Sequence, residues 1–163
     1  MDAGDFDPLI VRPILEAIRN SFDVQMATPV SIVSFMPMAK SQLDQVEIAG
    51  MLSIVSSTFS GTLAILFPAK TFLGLVNRML GENYTAITAE NADATGEVLN
   101  IIYGSARPNI NKSNYDFQPA IPSVVRGDHI EVSHPSAHLI GVIKCSSDLG
   151  PFHLELSLKK IKG

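Results

Sequence analysis

Gly50–Pro68 reads G-M-L-S-I-V-S-S-T-F-S-G-T-L-A-I-L-F-P: an apolar run, a serine-rich break, and a second apolar run closed by proline. E-I-A-G-M-L-S-I-V and G-T-L-A-I-L-F read as strands and the turn-like S-S-T-F-S-G joins them, so the stretch predicts a β-hairpin within Gln45–Pro68. Much later, His138–Leu158 (H-L-I-G-V-I-K-C-S-S-D-L-G-P-F-H-L-E-L-S-L) can be laid loosely over it: apolar strand, paired serines, turn, apolar strand.

Pro8–Met26, upstream of the first hairpin, carries a helical pattern with Asp7 or Arg12 as alternative starts, and Thr28–Met36 reads as a strand that Pro37 breaks. Ala69–Leu80 predicts a short helix closed by Gly81, and Thr88 to about Arg107 a second one that Pro108 ends or kinks. After the polar link N-K-S-N-Y-D-F, strand signals return in A-I-P-S-V-V, H-I-E-V and the second hairpin. The order is helix, three strands, helix, then helix and three or four strands. It suggests one domain over 1–163 made of two half-repeats, about 8–80 and 86–160.

Composition narrows the function. At 163 residues, with 46% apolar and 17% charged residues, the chain can bury a core and is not a disordered segment. A net charge of −4 gives no electrostatic footprint for nucleic acid, and Lys159, Lys160 and Lys162 are better read as a solubilising tail. A single cysteine, Cys145, suits a reducing compartment; no apolar run approaches a membrane span, and the acidic start M-D-A-G-D-F-D does not look like a signal peptide. The expectation is a cytoplasmic protein that binds neither nucleic acid nor membrane.

The helix of the later half carries D-A-T-G-E-V-L-N-I-I-Y-G, Asp93–Gly104. At about 100° per residue, Asp93, Glu97 and Asn100 fall within about 60° of one another, and Gly104 continues their line. Ala94, Val98, Leu99 and Ile102, flanked by Ile101, lie on the opposite side and supply a docking stripe, so the polar row faces outward. Arg12, Glu16 and Arg19 have the same spacing in the first helix: if the halves are homologous, the earlier one keeps the glutamate and replaces its flanks with arginines. Taken alone, a Glu and an Asn three apart on an exposed face are usually only solvated; Asp93 suits a first helical turn, and Gly104 could serve packing alone.

The row D-x3-E-x2-N-x3-G, preceded by F-S-G-T-L-A-I-L-F-P and followed by Y-D-F and P-S-V-V-R-G, resembles the CheC/CheX/FliY family of chemotaxis phosphatases. The similarity runs from about Pro13 to Leu158, and one intact motif on the later helix makes the chain most similar to CheX. The resemblance implies an α/β (α+β) fold of the CheC-like kind: two helix-plus-three-strand halves, a mainly antiparallel sheet, helices on one face. It implies a phosphatase acting on the aspartyl phosphate of a CheY-like response regulator. Glu97 would dock against the regulator's active-site lysine and Asn100 would orient the attacking water, with Asp93 and Gly104 as possible accessories. No cofactor of its own is implied, since Mg2+ and the lysine would come from the partner; a homodimer joined through its sheets is implied. The alternative is a CheC-like binding module for a regulator or flagellar switch component, without turnover. Tyr103, where a small residue commonly precedes the glycine, and Pro108 depart from the family pattern.

Other chemistry is less well supported by the sequence. Asp93 and Glu97 on adjacent turns of an exposed helix lack the burial that separates an acid from a base. His129, His134, His138 and His153 show no metal-ligand spacing and read as strand-surface residues, while Cys145 reads as a small core residue. No G-x-S-x-G, phosphate-binding glycine loop or CxxC is present.

Overall fold

In a computed structural model, residues 6–37, 41–134 and 139–161 are described. Helix α1 (Pro8–Asn20) starts behind Asp7, whose carboxylate accepts from the Leu9 amide at 2.9 Å, and Pro8 takes the first helical position, where no amide is needed. Of the two possible starts, the earlier one is used, and Pro13 lies inside the helix. Ile10, Val11, Ile14, Ala17 and Ile18 make its buried stripe; a π-helical turn at Ser21–Gln25 then buries Phe22 ahead of strand β1 (Val30–Pro37).

The first hairpin comprises β2 (Val46–Val55) and β3 (Phe59–Pro68). Its turn is tighter than S-S-T-F-S-G suggests, because Ser56 Oγ accepts from the Thr58 and Phe59 amides at 3.2 and 3.0 Å and lets pairing resume at once. Helix α2 (Ala69–Leu80) closes on Gly81, whose φ of 65° is left-handed. A short helix α3 (Ala89–Ala92), a long α4 (Ala94–Asn111), and strands β4 (Ser123–Arg126), β5 (Leu139–Ser147) and β6 (Gly150–Lys160) complete the described elements.

Two strand expectations are corrected. In A-I-P-S-V-V pairing begins only at Ser123, after Pro122, which has no amide to give a ladder. H-I-E-V is not a strand: it crosses the outer side of the sheet, with the Ile130 amide bonded to the Val46 carbonyl at 2.9 Å and Val132 buried. His138, the residues 1–5 and Lys162 lie outside the described residues.

The sheet has six strands in the order β1-β5-β6-β3-β2-β4, and every pairing is antiparallel. Exchanging β1 with β4, β2 with β5 and β3 with β6 reverses this order onto itself. One face carries the main core: Ile48, Leu52, Leu63, Ile65, Phe67, Ile143, Phe152, Leu154 and Leu156 meet the apolar stripes of α1, α2 and α4. Phe22 and Phe152 stack there with ring centroids 4.7 Å apart. Cys145 lies on this face, 2% exposed, and burial pushes its thiol up to about 12, only partly opposed by the charge of Arg19.

The second face holds a smaller cluster, Val46, Ala49, Ala64, Leu66 and Val132, roofed by Leu43 and Ile130. Here two histidines depart from the expected surface positions. His134 Nε2 lies 2.7 Å from Glu155 Oε1 with both side chains almost fully buried, and His153 Nδ1 lies 2.8 Å from Ser41 Oγ. The Ser41 amide donates to Glu155 Oε2 at 3.2 Å, so one carboxylate in β6 fastens both segments that cover this face. Pairing buried polar groups in this way avoids most of the cost of burying them.

Candidate functional site

The Asp93–Gly104 row sits on a helix divided differently from the expected Thr88–Arg107. Thr88 and Asn91 form a reciprocal cap, with the Thr88 amide donating to Asn91 Oδ1 at 2.9 Å, and Asn91 Nδ2 donates to the Ala86 carbonyl at 2.9 Å. That cap starts the short helix α3, and Asp93, whose backbone stays right-handed helical, is the residue at the junction, in the cap position of α4. An acid there is favoured by the helix dipole, although Asp93 makes no side-chain cap bond. Pro108 neither ends the helix nor reaches the motif, since α4 continues to Asn111.

Val98, Leu99, Ile102, Ala106 and Ile110 of α4 are buried against the sheet. Thr95 is also fully buried, and it fits where β2 has no side chain: a Cβ on Gly50 would lie 3.0 Å from Thr95 Cγ2 and 3.5 Å from the Thr95 carbonyl oxygen. The first turn of α4 is therefore seated directly on β2.

With that side docked, Asp93, Glu97, Asn100 and Gly104 are all exposed. Neither carboxylate forms an ion pair among the described residues, so the row offers two free carboxylates, a carboxamide and a bare stretch of backbone. A Cβ on Gly104 would meet nothing within 4 Å among the described residues, which removes internal packing as the reason for glycine. Arg12, Glu16 and Arg19 are likewise exposed on α1, which packs beside α4.

The segment after α4 runs back along it. Asn111 grips Phe117 at both backbone atoms, accepting from its amide at 2.9 Å and donating to its carbonyl at 3.1 Å. Tyr103 is buried, and its hydroxyl donates to the Gln118 carbonyl at 2.6 Å; burial raises its pKa against the opposing charge of Arg107. The Gln118 amide in turn bonds the Val55 carbonyl at 2.9 Å. Farther along, a Cβ on Gly96 would sit 3.2 Å from Pro122 and 3.5 Å from Val124. Tyr103 thus turns inward to hold this strap and stays off the exposed face. The sequence reading missed the strap, although Pro119 and Pro122 mark an extended, stiff segment.

The motif row lies on a convex helical surface. A cavity of about 480 Å³ lies elsewhere, among Glu47, Leu73, Ile87, Arg126 and Asp128, and none of the row lines it. Small-molecule sites are concave and enclose their ligand, which this exposed row does not do. Among the described residues no group of three or more His, Cys, Asp or Glu could hold a metal, and no helix is long and apolar enough to cross a membrane.

The family model for chemotaxis phosphatase CheX matches residues 48–146, a range that contains the whole row. The fold is similar to a CheC-like superfamily protein from Shewanella sp. PV-4, at 23% identity over 94% of this chain and 99% of that one, TM-score 0.87. It is similar to the chemotaxis protein CheX from Vibrio vulnificus, at 24% identity over 92% and 99% of the chains, TM-score 0.84. It also matches a CheX–CheY–BeF3–Mg2+ complex from Borrelia burgdorferi, at 15% identity over 92% and 97% of the chains, TM-score 0.73. A search of the curated proteins gave no match.

Proposed function

This chain belongs to the CheX family of chemotaxis phosphatases, and from that premise we propose that it hydrolyses the aspartyl phosphate of a CheY-like response regulator. The observation that carries the proposal is the row itself: α4 is docked on the sheet along one side and leaves Asp93, Glu97, Asn100 and Gly104 together on the other. The Borrelia protein seen with CheY, BeF3 and Mg2+ supports a receiver domain as the partner.

An acyl phosphate has a good leaving group, so catalysis needs an in-line water and no added repulsion of the anion. The Asn100 carboxamide oxygen accepts a hydrogen bond from a water proton and aims the water oxygen at phosphorus without contributing negative charge. As the new P–O bond forms, the aspartyl oxygen leaves as carboxylate, and the water's proton ends on the released phosphate or in solvent. Glu97, one turn away, docks against the regulator's active-site lysine. Mg2+ and that lysine belong to the partner. Asp93 adds negative charge beside that cationic site, and Gly104 lets the partner's backbone come close.

The same reading places the protein in the cytoplasm, where regulators act, and includes a homodimer joined through sheet edges, with β1 and β4 the outermost strands among the described residues. The strand order that reverses onto itself supports two half-repeats, of which only the later carries the full row.

Phosphate release from CheY-like receivers of the same genome, phosphorylated with acetyl phosphate, tests the activity. Asn100→Ala is expected to abolish turnover, about 100-fold or more, with binding largely intact. Glu97→Ala is expected to weaken both. No acceleration by the wild type on any receiver it binds would leave the non-catalytic binding module as the correct reading; full activity in Asn100→Ala would remove the water-positioning role.

A further inference from the structure

The strap beside the motif row carries an unusual side chain. Ile121 is 91% exposed, the highest value among the exposed large hydrophobic residues, ahead of Val24 at 76% and Val33 at 65%. Isolated exposed aliphatics are common on protein surfaces. Ile121 differs in where it is held and how firmly.

Its position follows from the two ends of the strap. Gln118 is fixed to Tyr103, and Pro122 lies against Gly96, so Gln118–Pro122 runs antiparallel to Gly96–Tyr103. Those helical residues span about 10 Å, within the reach of about 14 Å that four strap peptides have, so the strap can run beside that length of helix. Asn100 lies midway, about 40° from Gly96 and 60° from Tyr103 around the helix axis. The strap therefore borders the Asn100 side of the row, and Ile121 projects from it.

Firmness follows from the anchors. Phe117 is buried and held by Asn111, Gln118 is bonded on both backbone atoms, Ala120 packs on the core, and Pro119 and Pro122 fix their own φ. An apolar side chain shown on such a support gives up little backbone freedom on binding, and a few well-packed anchors carry most of the energy of a protein–protein contact.

We propose that Ile121 is a specificity-determining anchor: it inserts into an apolar depression that adjoins the phosphorylation site on the partner receiver domain, and so seats Asn100 over the phosphoryl group. This rests on the phosphatase reading above. It assigns the receiver two adjoining features, a cationic site for Asp93 and Glu97 and an apolar patch for Ile121. Ile121 takes no part in the chemistry, so its loss weakens docking and leaves the bound complex competent.

The test is steady-state phosphate release from an acetyl-phosphate-treated CheY-like receiver, with direct binding of the same receiver in its beryllofluoride form. Ile121→Ser is expected to raise KM and Kd about 10- to 50-fold with kcat changed less than about 2-fold, and Ile121→Val to recover most of the affinity. Exposure makes a folding defect an unsuitable explanation, and an unchanged melting temperature checks this. Unchanged KM and Kd, or a loss confined to kcat, overturns the proposal. So does a wild-type dimer that dissociates in Ile121→Ser, because the residue then covers a second copy of this chain. If the wild type binds the receiver without turnover, a weaker Kd in Ile121→Ser still upholds the anchor while the phosphatase reading fails; if it binds no receiver, both fail.

Discussion

Gly104→Ala should make the free protein more stable and its encounter with the regulator less favourable. Gly104 lies well inside α4, where glycine costs about 0.8–1.0 kcal/mol relative to alanine because its backbone loses more freedom on folding. The added methyl group meets nothing within 4 Å among the described residues, so no clash offsets the gain. For a chain of this size, about 1 kcal/mol raises Tm by roughly 2–4 °C, measurable by calorimetry on the isolated protein. On the outer side, the proposed docking mode brings the partner's backbone against the helix where this methyl group would stand. Overpacking of about 1–3 kcal/mol would raise KM or Kd about 5- to 150-fold. A lower Tm would refute the helix-propensity reasoning. A higher Tm with unchanged affinity for the receiver would show that the bare backbone at Gly104 has no role in contact.

Gly50→Ala should act in the opposite sense: its methyl group would press on Thr95, lift the first turn of α4 from β2, and cost about 1–3 kcal/mol, read as a lower urea midpoint together with reduced turnover. Folding should also respond to pH through His153, whose pKa is lowered from 6.5 chiefly by burial and secondarily by Lys144, against the raising effect of Glu155. The unfolded chain then binds the proton more readily. The stabilisation is complete above pH 6.5 and is lost as pH falls through the depressed folded value, so the urea midpoint should drop between pH 7.5 and 5.5. His153→Gln should flatten that slope, and an unaltered slope would assign it to other groups.

Punctuation residues made much of the fold readable. Pro68 and Gly81 mark chemically enforced ends, and β3 and α2 stop where expected, whereas Pro37 is itself paired in β1, with Gly141. H-I-E-V shows the limit. Its alternation of Ile and Val suits a strand, and the Ile130 amide does reach the β2 edge at the Val46 carbonyl, but the segment then lies over the second face with Val132 as a plug and forms no strand. Likewise, the alternation in F-H-L-E-L-S-L correctly puts His153 and Glu155 on the side away from Leu154 and Leu156. What covers that side depends on Ser41 and His134, distant in sequence, and no local pattern reports it.

The motif row was legible because a helix repeats its directions at a fixed angle. Its surroundings were not. The start of α3 is fixed by the reciprocal Thr88–Asn91 cap, and the break at Asp93, a residue with ordinary helical backbone angles, has no pattern in the sequence to announce it. The strap is held mostly by side-chain-to-backbone bonds from Tyr103 and Asn111, and only the spacing of its prolines hints at its stiffness.

The strand order carries a consequence for how the chain reaches its native state. β1 pairs only with β5, and β4 only with β2, so each half gives its outermost strand to the other's hairpin. Neither half can complete its own three-stranded sheet, and cutting the connection between α2 and α3 would leave two pieces that each expose an unmatched strand. Folding must therefore wait for contacts between residues more than a hundred positions apart, such as Val30 with Ser147. Pairing over such separations slows folding, and the expected behaviour is one cooperative transition in which both halves appear together.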